Sequence, residues 1–443
     1  MQQIIKAIQR AKNRNYNIAI IGLGYVGIPL AEAFTHRGIE VLGYDIDQTR
    51  VDMLNASKSV LGHFDDARIS GMVSSKLFEA TTDEKRLGDA SAILICVPTP
   101  LDVHNHPDLS HVKSACEMIS NNLRPGQLIV LESTTYPGTT EEVMKPILEK
   151  SGLKAGEDFG LAYSPEREDP GNIDFETSTI PKLIGAETQE ERELADLIYR
   201  NVVSTILVSS TRVAEAAKLM ENIFRWVNIG LVNELKTVFD GMGIDVHEVV
   251  DAAKSKPFGF MAFRPGPGVG GHCIPIDPYY LTWKAREYGH STRFIELAGE
   301  VNRNMPQRVV SRLSEVLDQK YSKPLNGARI LLLGIAYKRD VDDMRESPSM
   351  VLWRIMDEAG ADVEYFDAHV PEVPMTREFP EYAGRKSIAL TGQAIGAFDA
   401  VLIATDHRSV DYASVVDKAM LTIDTRNVTG DLDPKLREKV ISA

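Results

Sequence analysis

The sequence predicts an α/β fold in which two doubly wound parallel-sheet domains are joined by a long central helix. Short apolar runs alternate with helical stretches from Asn17 to Tyr163. The same alternation returns from Ala328 to Ile423. Between them, Arg212–Phe239 repeats apolar residues in steps of three and four, at Leu219, Ile223, Val227, Leu231, Leu235 and Val238. Alternating strand and helix patterns imply parallel sheets covered by helices. The three-to-four spacing implies one long amphipathic helix.

A chain of 443 residues has room for two or three domains. The expected parts are residues 1–209, 210–317 and 318–443, with a polar link at Asp318–Asn326. Hydrophobic residues are 43% and charged residues 25%, as in ordinary globular proteins. The formal charge of -14 argues against nucleic acid or an anionic membrane as partner. An anionic ligand would then need local Arg, Lys and helix N-termini. Cys96, Cys116 and Cys273 are the only cysteines, so no disulfide framework is implied. No metal is expected. Lys6, Arg10, Lys12 and Arg14 precede an apolar run, Ile18–Ile28, which resembles a signal peptide, but Gly22, Gly24 and Gly27 break it and Glu32 soon follows. No stretch is apolar for long enough to span a bilayer, and a cytoplasmic protein is expected.

The first strand, Asn17–Ile21, runs into Gly22-Leu-Gly24-Tyr25-Val26-Gly27 and then a helix, Pro29–His36. The next strand, Glu40–Tyr44, ends at Asp45. This is the dinucleotide fingerprint in its required setting. Gly22 makes the tight turn, Gly24 admits a pyrophosphate, and Gly27 lets helix and strand approach. Asp45 suits ribose hydroxyls and would repel a 2′-phosphate, which favours NAD over NADP. A glycine-rich turn with no ligand is the alternative. Further strands are expected at Ala92–Val97, Leu128–Leu131 and Gly160–Tyr163, with a helix at Leu109–Ser120. Polar segments follow these strands: Pro98-Thr99-Pro100, Glu132-Ser-Thr-Thr135 and Ser164-Pro-Glu166-Arg167-Glu168. Ligands collect at such carboxyl ends. Cys96 reads as core within a strand, and Cys116 as helix packing.

On the central helix, Lys218 and Asn222 stand four apart and share a face. A solvated Lys beside an Asn is the plainer reading. A helix this long, with apolar faces, is a candidate spine and dimer contact. Then comes Arg264-Pro-Gly-Pro-Gly268-Val-Gly270-Gly271-His272-Cys273, with Asp277 four residues on. Glycines let backbone crowd a ligand, and prolines stiffen the loop. A thiol held this way suits a nucleophile. A turn that happens to bury a Cys is the alternative. The last domain has strands at Ala328–Leu333, Asp362–Phe366, Ala400–Ala404 and Met420–Ile423, but no three-glycine fingerprint. A second dinucleotide is therefore not expected there. Lys338, Arg345 and Arg426 follow its strands and supply positive charge.

Together the glycine fingerprint, Ser164-Pro-Glu166, Lys218-x-x-x-Asn222, Gly270-Gly271-His272-Cys273 and Asp277 resemble the UDP-glucose/GDP-mannose dehydrogenase family. The resemblance covers nearly the whole chain. It implies two Rossmann-like domains and a homodimer or higher homo-oligomer. It also implies an NAD-dependent, four-electron oxidation of a UDP-sugar C6 hydroxyl to a carboxylate through a thiohemiacetal and a thioester on Cys273. The catalytic set it implies is Cys273, Lys218, Asn222, Asp277, Glu166 and Thr135. The cofactor set is Gly22, Gly24, Tyr25, Val26, Gly27, Asp45, Arg50, Pro98, Thr99, Thr135 and Arg345. The substrate set is Glu166, Arg167, Lys218, Asn222, Arg264, Gly270, Lys338 and Arg426. Ile276 stands where the UDP-glucose branch usually has Lys, and the loop looks most like the branch acting on UDP-N-acetylglucosamine. UDP-glucose, UDP-N-acetylmannosamine and UDP-N-acetylgalactosamine stay open. So do a two-electron hydroxyacid dehydrogenase and a non-catalytic nucleotide-sugar sensor. A cell-surface polysaccharide is the implied destination of the product.

Overall fold

A computed structural model of the chain describes residues 1–61, 64–102, 104–167, 179–271 and 273–443. These form two compact units: Met1–Glu221 with Tyr279–Ser291, and Asn222–Pro278 with Thr292–Ala443. The division falls inside the helix Thr211–Met242. No helix among the described residues is long and apolar enough to cross a membrane.

The first unit is built on an eight-stranded sheet. Its strands are β1 (Ile18–Ile21), β2 (Val41–Tyr44), β3 (Phe78–Thr81), β4 (Ala92–Ile95), β5 (Leu128–Leu131), β6 (Gly160–Tyr163), β7 (Lys182–Ala186) and β8 (Thr205–Val208). The spatial order is β3-β2-β1-β4-β5-β6-β7-β8. The first six follow the dinucleotide-binding order. β1, β4, β5 and β6 are wholly buried, which explains their unbroken apolar sequences. Cys116 is buried on the helix Ser110–Asn122. Cys96 lies one residue beyond β4 and is only partly buried, so it is not a strand core residue.

β7 departs from the wholly parallel sheet that the alternation predicts. It runs antiparallel to β6, with Ala162 opposite Ala186 and Tyr163 opposite Gly185. A parallel partner needs a long crossover, usually a helix. A further helix, Gln2–Lys12, was not expected from the basic N-terminal pattern. It buries Ile4, Ala7, Ile8 and Ala11 in the core of this unit and leaves its basic residues outside.

The second unit holds a five-stranded parallel sheet of β9 (Arg329–Leu333), β10 (Asp362–Phe366), β11 (Ala400–Ile403), β12 (Thr422–Asp424) and β13 (Val440–Ser442). Its order is β10-β9-β11-β12-β13. The helix Arg293–Tyr321 runs into the expected link at Asp318 and ends at Ser322 in the left-handed region, so the connector is shorter than the polar sequence suggests. The periodic apolar residues of the long helix also divide. Leu219 is buried, whereas Leu231 and Val238 are exposed.

Asp367, just after β10, fixes the turn after β9. Its carboxylate accepts from Ile335 N and Ala336 N at 2.7 and 3.0 Å. It also accepts from His369 N and Val370 N at 2.8 and 3.1 Å, and His407 Nε2 lies 3.0 Å away. Burial pushes this carboxyl up, but His407 and the backbone N–H groups outweigh burial and hold it below its ordinary value of 3.8. A lowered folded value gives stability that is complete above the unfolded value and is lost as pH falls through the folded one. Asp367→Asn should therefore destabilise this unit by about 2–4 kcal/mol at neutral pH. Hydrogen exchange of β9 and β10 reads this loss, and the gap from wild type should close below about pH 4.

Candidate functional site

In the first unit the turn after β1 is shaped by what its glycines lack. Gly22 has φ +96°, and a Cβ there would sit 2.6 Å from the Cys96 carbonyl oxygen. A Cβ on Gly27 would lie 2.0 Å from the Gly22 oxygen. Gly24 differs: its nearest neighbour would be Arg50 Nη1 at 3.9 Å, so the space above it is open. Tyr25 and Val26 complete the turn into the helix Gly27–Thr35. Asp45 follows β2 and accepts from Leu23 N at 2.9 Å and Asp47 N at 3.0 Å. Each oxygen keeps a lone pair for a ribose hydroxyl. Arg50 donates to the Leu23 carbonyl at 2.9 Å and approaches Asp45 at 3.7 Å.

The segments after β4 and β5 are tied together. Ser133 Oγ donates to the Val97 carbonyl at 2.6 Å and Thr99 Oγ1 to the Thr134 carbonyl at 2.8 Å, which fixes the chain on both sides of Pro98. Tyr280 hydroxyl donates to the Thr99 carbonyl. Thr135 is buried, its hydroxyl 2.6 Å from that of Thr139. Glu215, buried on the long helix, holds this turn by accepting from Gly138 N, Thr140 N and Thr140 Oγ1. Burial raises its carboxyl, against the hydrogen bonds it accepts.

Glu166 follows β6 and is partly buried. Its Oε1 accepts from Arg167 N at 2.7 Å, and Lys182 Nζ is 3.6 Å from Oε2. Arg167 is paired with Glu221 at 2.8 Å and donates to the Pro181 carbonyl at 2.6 Å. Glu168 lies outside the described residues. The sequence reading missed Glu132, Lys182 and Tyr199, which form a buried polar group under this edge. Lys182 was not legible because its strand was not expected. Glu132 is visible in the sequence as a carboxylate ending a strand. Lys218 is nearly buried on the long helix rather than solvated.

In the second unit Asn222 meets Asp277, and the Cys273 main chain joins the same turn. Asn222 Nδ2 donates to the Asp277 carboxylate, and both residues are buried. The Cys273 carbonyl accepts from Asp277 N at 2.8 Å and Ile276 N at 3.1 Å, which ties the cysteine to the start of the helix Asp277–Glu287. His272 lies outside the described residues. A Cβ on Gly270 would lie 2.8 Å from the Glu346 carbonyl oxygen and from the Tyr337 and Pro348 side chains. Gly271, at φ +89°, donates to the Arg345 carbonyl at 3.0 Å. Close backbone packing thus explains this glycine run.

The expected cations fall in this unit as well. Lys338 follows β9 and is partly buried. Arg426 follows β12 and donates through Nε to the Ala404 carbonyl at 2.8 Å. Burial lowers its pKa to about 10, against the pull of Asp424. Gly266 leaves room for it, since a Cβ there would meet Nη1 at 2.8 Å. Arg345 pairs with Asp343 at 2.6 Å, and Arg264 pairs with Asp251. Asp340, His369 and His407 come within 4.8 Å of one another by their ligand atoms. His407 Nδ1 accepts from Asp340 N at 3.0 Å, and Asp340 Oδ1 accepts from Arg408 N at 3.0 Å. Protein donors thus already use two of these atoms.

Three family signatures match consecutive parts of the chain. They describe the NAD binding domain of the UDP-glucose/GDP-mannose dehydrogenase family over residues 16–203, its central domain over 212–304 and its UDP binding domain over 331–431. The chain belongs to the UDP-glucose/GDP-mannose dehydrogenase family. A protein of Pseudomonas aeruginosa named UDP-N-acetyl-D-glucosamine 6-dehydrogenase is 38% identical over 397 residues, 89% of this chain and 91% of that one. A UDP-N-acetyl-D-mannosamine dehydrogenase of Pyrococcus horikoshii is 34% identical, over 93% of this chain and 95% of that one. The solved structure of a UDP-D-ManNAc dehydrogenase from that organism superposes with a TM-score of 0.83, at 34% identity over 93% and 95% of the two chains. A UDP-glucose dehydrogenase structure from Pyrobaculum islandicum gives 0.82 at 25% identity, covering 96% of each chain.

As a member of this family, the protein is an NAD-dependent oxidoreductase of the nucleotide-sugar class. The glycine turn fits NAD: Gly24 leaves open space where a pyrophosphate would press, and Asp45 keeps acceptor capacity. Gly24→Ala should fold like wild type but weaken NAD binding at least about tenfold. Gly27→Ala should lower unfolding stability by at least about 2 kcal/mol, because the Gly22 carbonyl it would strike is backbone and cannot yield. Thermal melts and NAD titration calorimetry of the two variants separate these effects.

Proposed function

We propose that this protein oxidises the C6 hydroxyl of UDP-N-acetyl-D-glucosamine to a carboxylate, with Cys273 as covalent nucleophile. The observation that supports this is the buried Asn222–Asp277 pair, with the Cys273 main chain hydrogen-bonded to the start of the Asp277 helix. The balanced reaction takes one sugar alcohol, two NAD and one water to one carboxylate, two NADH and three protons. NAD, when bound, supplies the two-electron acceptor.

In this reading Gly22, Gly24, Tyr25, Val26, Gly27, Asp45, Arg50, Pro98, Thr99 and Arg345 hold the cofactor. Lys338 and Arg426 meet the diphosphate, with Arg264, Arg167 and Gly270 completing the substrate site. These few cations answer the overall charge of -14. Lys218 and Asn222 stabilise the negative charge that develops on the C6 oxygen. The Cys273 thiolate adds to the C6 aldehyde and gives a thiohemiacetal. Loss of a second hydride leaves a thioester on the sulfur. Thr135 holds a water, and Glu166 takes its proton as it attacks the acyl carbon and the thiolate departs. Asp277 orients the thiol and its proton. The functional parts are taken as residues 1–209 for NAD, 210–317 for the catalytic loop and dimer contact, and 318–443 for UDP.

The N-acetylglucosamine assignment rests on Ile276 before Asp277 and on the Pseudomonas relative's name. A second reading, UDP-N-acetylmannosamine, is favoured by the name of the Pyrococcus relative. The purified enzyme should reduce NAD fastest with UDP-N-acetylglucosamine and release two NADH per sugar. Faster turnover with UDP-glucose or with UDP-N-acetylmannosamine would reassign the substrate. Cys273→Ser should release no uronate, and normal product release by that variant would end the covalent scheme.

The product is proposed to feed a surface polysaccharide, made in the cytoplasm by a homodimer. Met220, Phe224, Leu231, Val238 and Met242 are exposed and fall on one stripe of the long helix. Stripes of this kind mark contact surfaces. Leu231→Glu should convert a dimer to monomers in light scattering. An unchanged mass would move the contact elsewhere.

A further inference from the structure

The edge beyond β5 and β6 holds a buried ion pair that the proposed chemistry does not use. Lys182 is only 3% exposed and Glu132 is fully buried. Lys182 Nζ lies 2.5 Å from Glu132 Oε2, 3.4 Å from the Pro165 carbonyl and 3.6 Å from Glu166 Oε2. The Tyr199 hydroxyl donates to Glu132 Oε1, and the Glu132 carbonyl accepts from Glu166 N at 3.2 Å. One ammonium thus touches two carboxylates and the backbone just before the second. All these residues lie in the first unit.

A buried ion pair is a weak source of stability, because desolvation offsets its attraction, and apolar residues of similar volume often serve as well. Its placement is what stands out. Lys182 is the first residue of β7, the strand that runs against its neighbour β6. An antiparallel strand begins where its parallel neighbours end. The reversal therefore delivers an ammonium to the carboxyl edge, where Glu132 and Glu166 stand. In a wholly parallel sheet the first residue of β7 would sit at the opposite edge.

We infer that Lys182 is a positioning residue for Glu166, and that Glu132, steadied by Tyr199, holds Lys182 in place. Lys182 restrains the Pro165–Glu166 backbone through its carbonyl contact and the Glu166 carboxylate through charge. Glu132 keeps the ammonium from swinging away, and its main chain restrains Glu166 a second time. Glu166 is thereby aimed from below, by groups that touch neither substrate nor cofactor. This rests on the reading above that Glu166 takes the proton during thioester hydrolysis.

Lys182→Met alone would leave Glu132 buried without its cation, so the informative variant is Glu132→Gln/Lys182→Met. It is compared, as full-length protein with NAD and the best sugar of the substrate panel, with Glu166→Gln and wild type. The expected result is a kcat at least about tenfold lower, with KM for sugar and NAD unchanged. The first burst of NADH should be preserved, and rapid-quench intact mass should find the acyl adduct on Cys273. A double variant that turns over like wild type, or is slowed with raised KM and no adduct, overturns the inference. Should circular dichroism find it unfolded, Glu132→Gln alone decides: adduct accumulation supports the inference and its absence overturns it. Normal turnover by Glu166→Gln would instead sink the underlying reading. A stalled Glu166→Gln beside an unaffected double variant would sink only the role of Lys182.

Discussion

The long helix Thr211–Met242 buries polar side chains where an ordinary amphipathic helix would bury apolar ones. Glu215, Lys218, Asn222, Asn233 and Lys236 are all nearly inaccessible. Burying such groups is costly unless they find partners, and Glu215, Asn222 and Asn233 find theirs on other segments. Glu215 gathers the turn at Gly138–Thr140. Asn222 reaches Asp277, Trp226 Nε1 donates to the Ile295 carbonyl, and Asn233 ties both Gly266 and Asn302. Removing one partner would strand the other in a dry interior, and this makes the loops near the helix rigid rather than merely adjacent.

Much of the first sheet was legible because its strands are buried on both faces. Ile18–Ile21 and Leu128–Leu131 read as continuous apolar runs with turn residues after them. The glycine turn was legible for a similar reason. A Cβ at Gly22 or Gly27 would collide with backbone, and the sequence shows that constraint directly. β3 and β8 were harder. Phe78–Thr81 is only partly buried and alternates, and Thr205–Val208 is a partly exposed edge strand. Residue identity does not reveal strand direction, so the reversal of β7 was hidden although Lys-Leu-Ile-Gly-Ala is present in plain sight. On the long helix, period alone could not decide which apolar residues face the core, and exposed Leu231 and Val238 look like buried Leu219. Lys218 could be placed on a face by spacing, but only packing settles that it is buried.

Charge sets a second constraint. An acidic chain that handles a diphosphate must keep its own carboxylates from that ligand. Several carboxylates are neutralised locally, as when Asp343 takes Arg345 and Asp251 takes Arg264. Arg426 is the contrary case. Its guanidinium is partly buried, rests on a carbonyl and lies against Gly266, so it is oriented, and among the described residues no carboxylate pairs with its side chain. A cation prepared in this way loses little freedom on meeting an anion.

The two sheets share one device, a carboxylate after one strand that pins the turn after its neighbour. Asp45 accepts from two backbone N–H groups and has capacity left. Asp367 accepts from four, and His407 adjoins it as well. The acid that keeps acceptor capacity in one sheet is spent on internal contacts in the other. Grafting a glycine fingerprint onto the second sheet would therefore not yield a new dinucleotide pocket, since its acid has nothing left to offer a sugar.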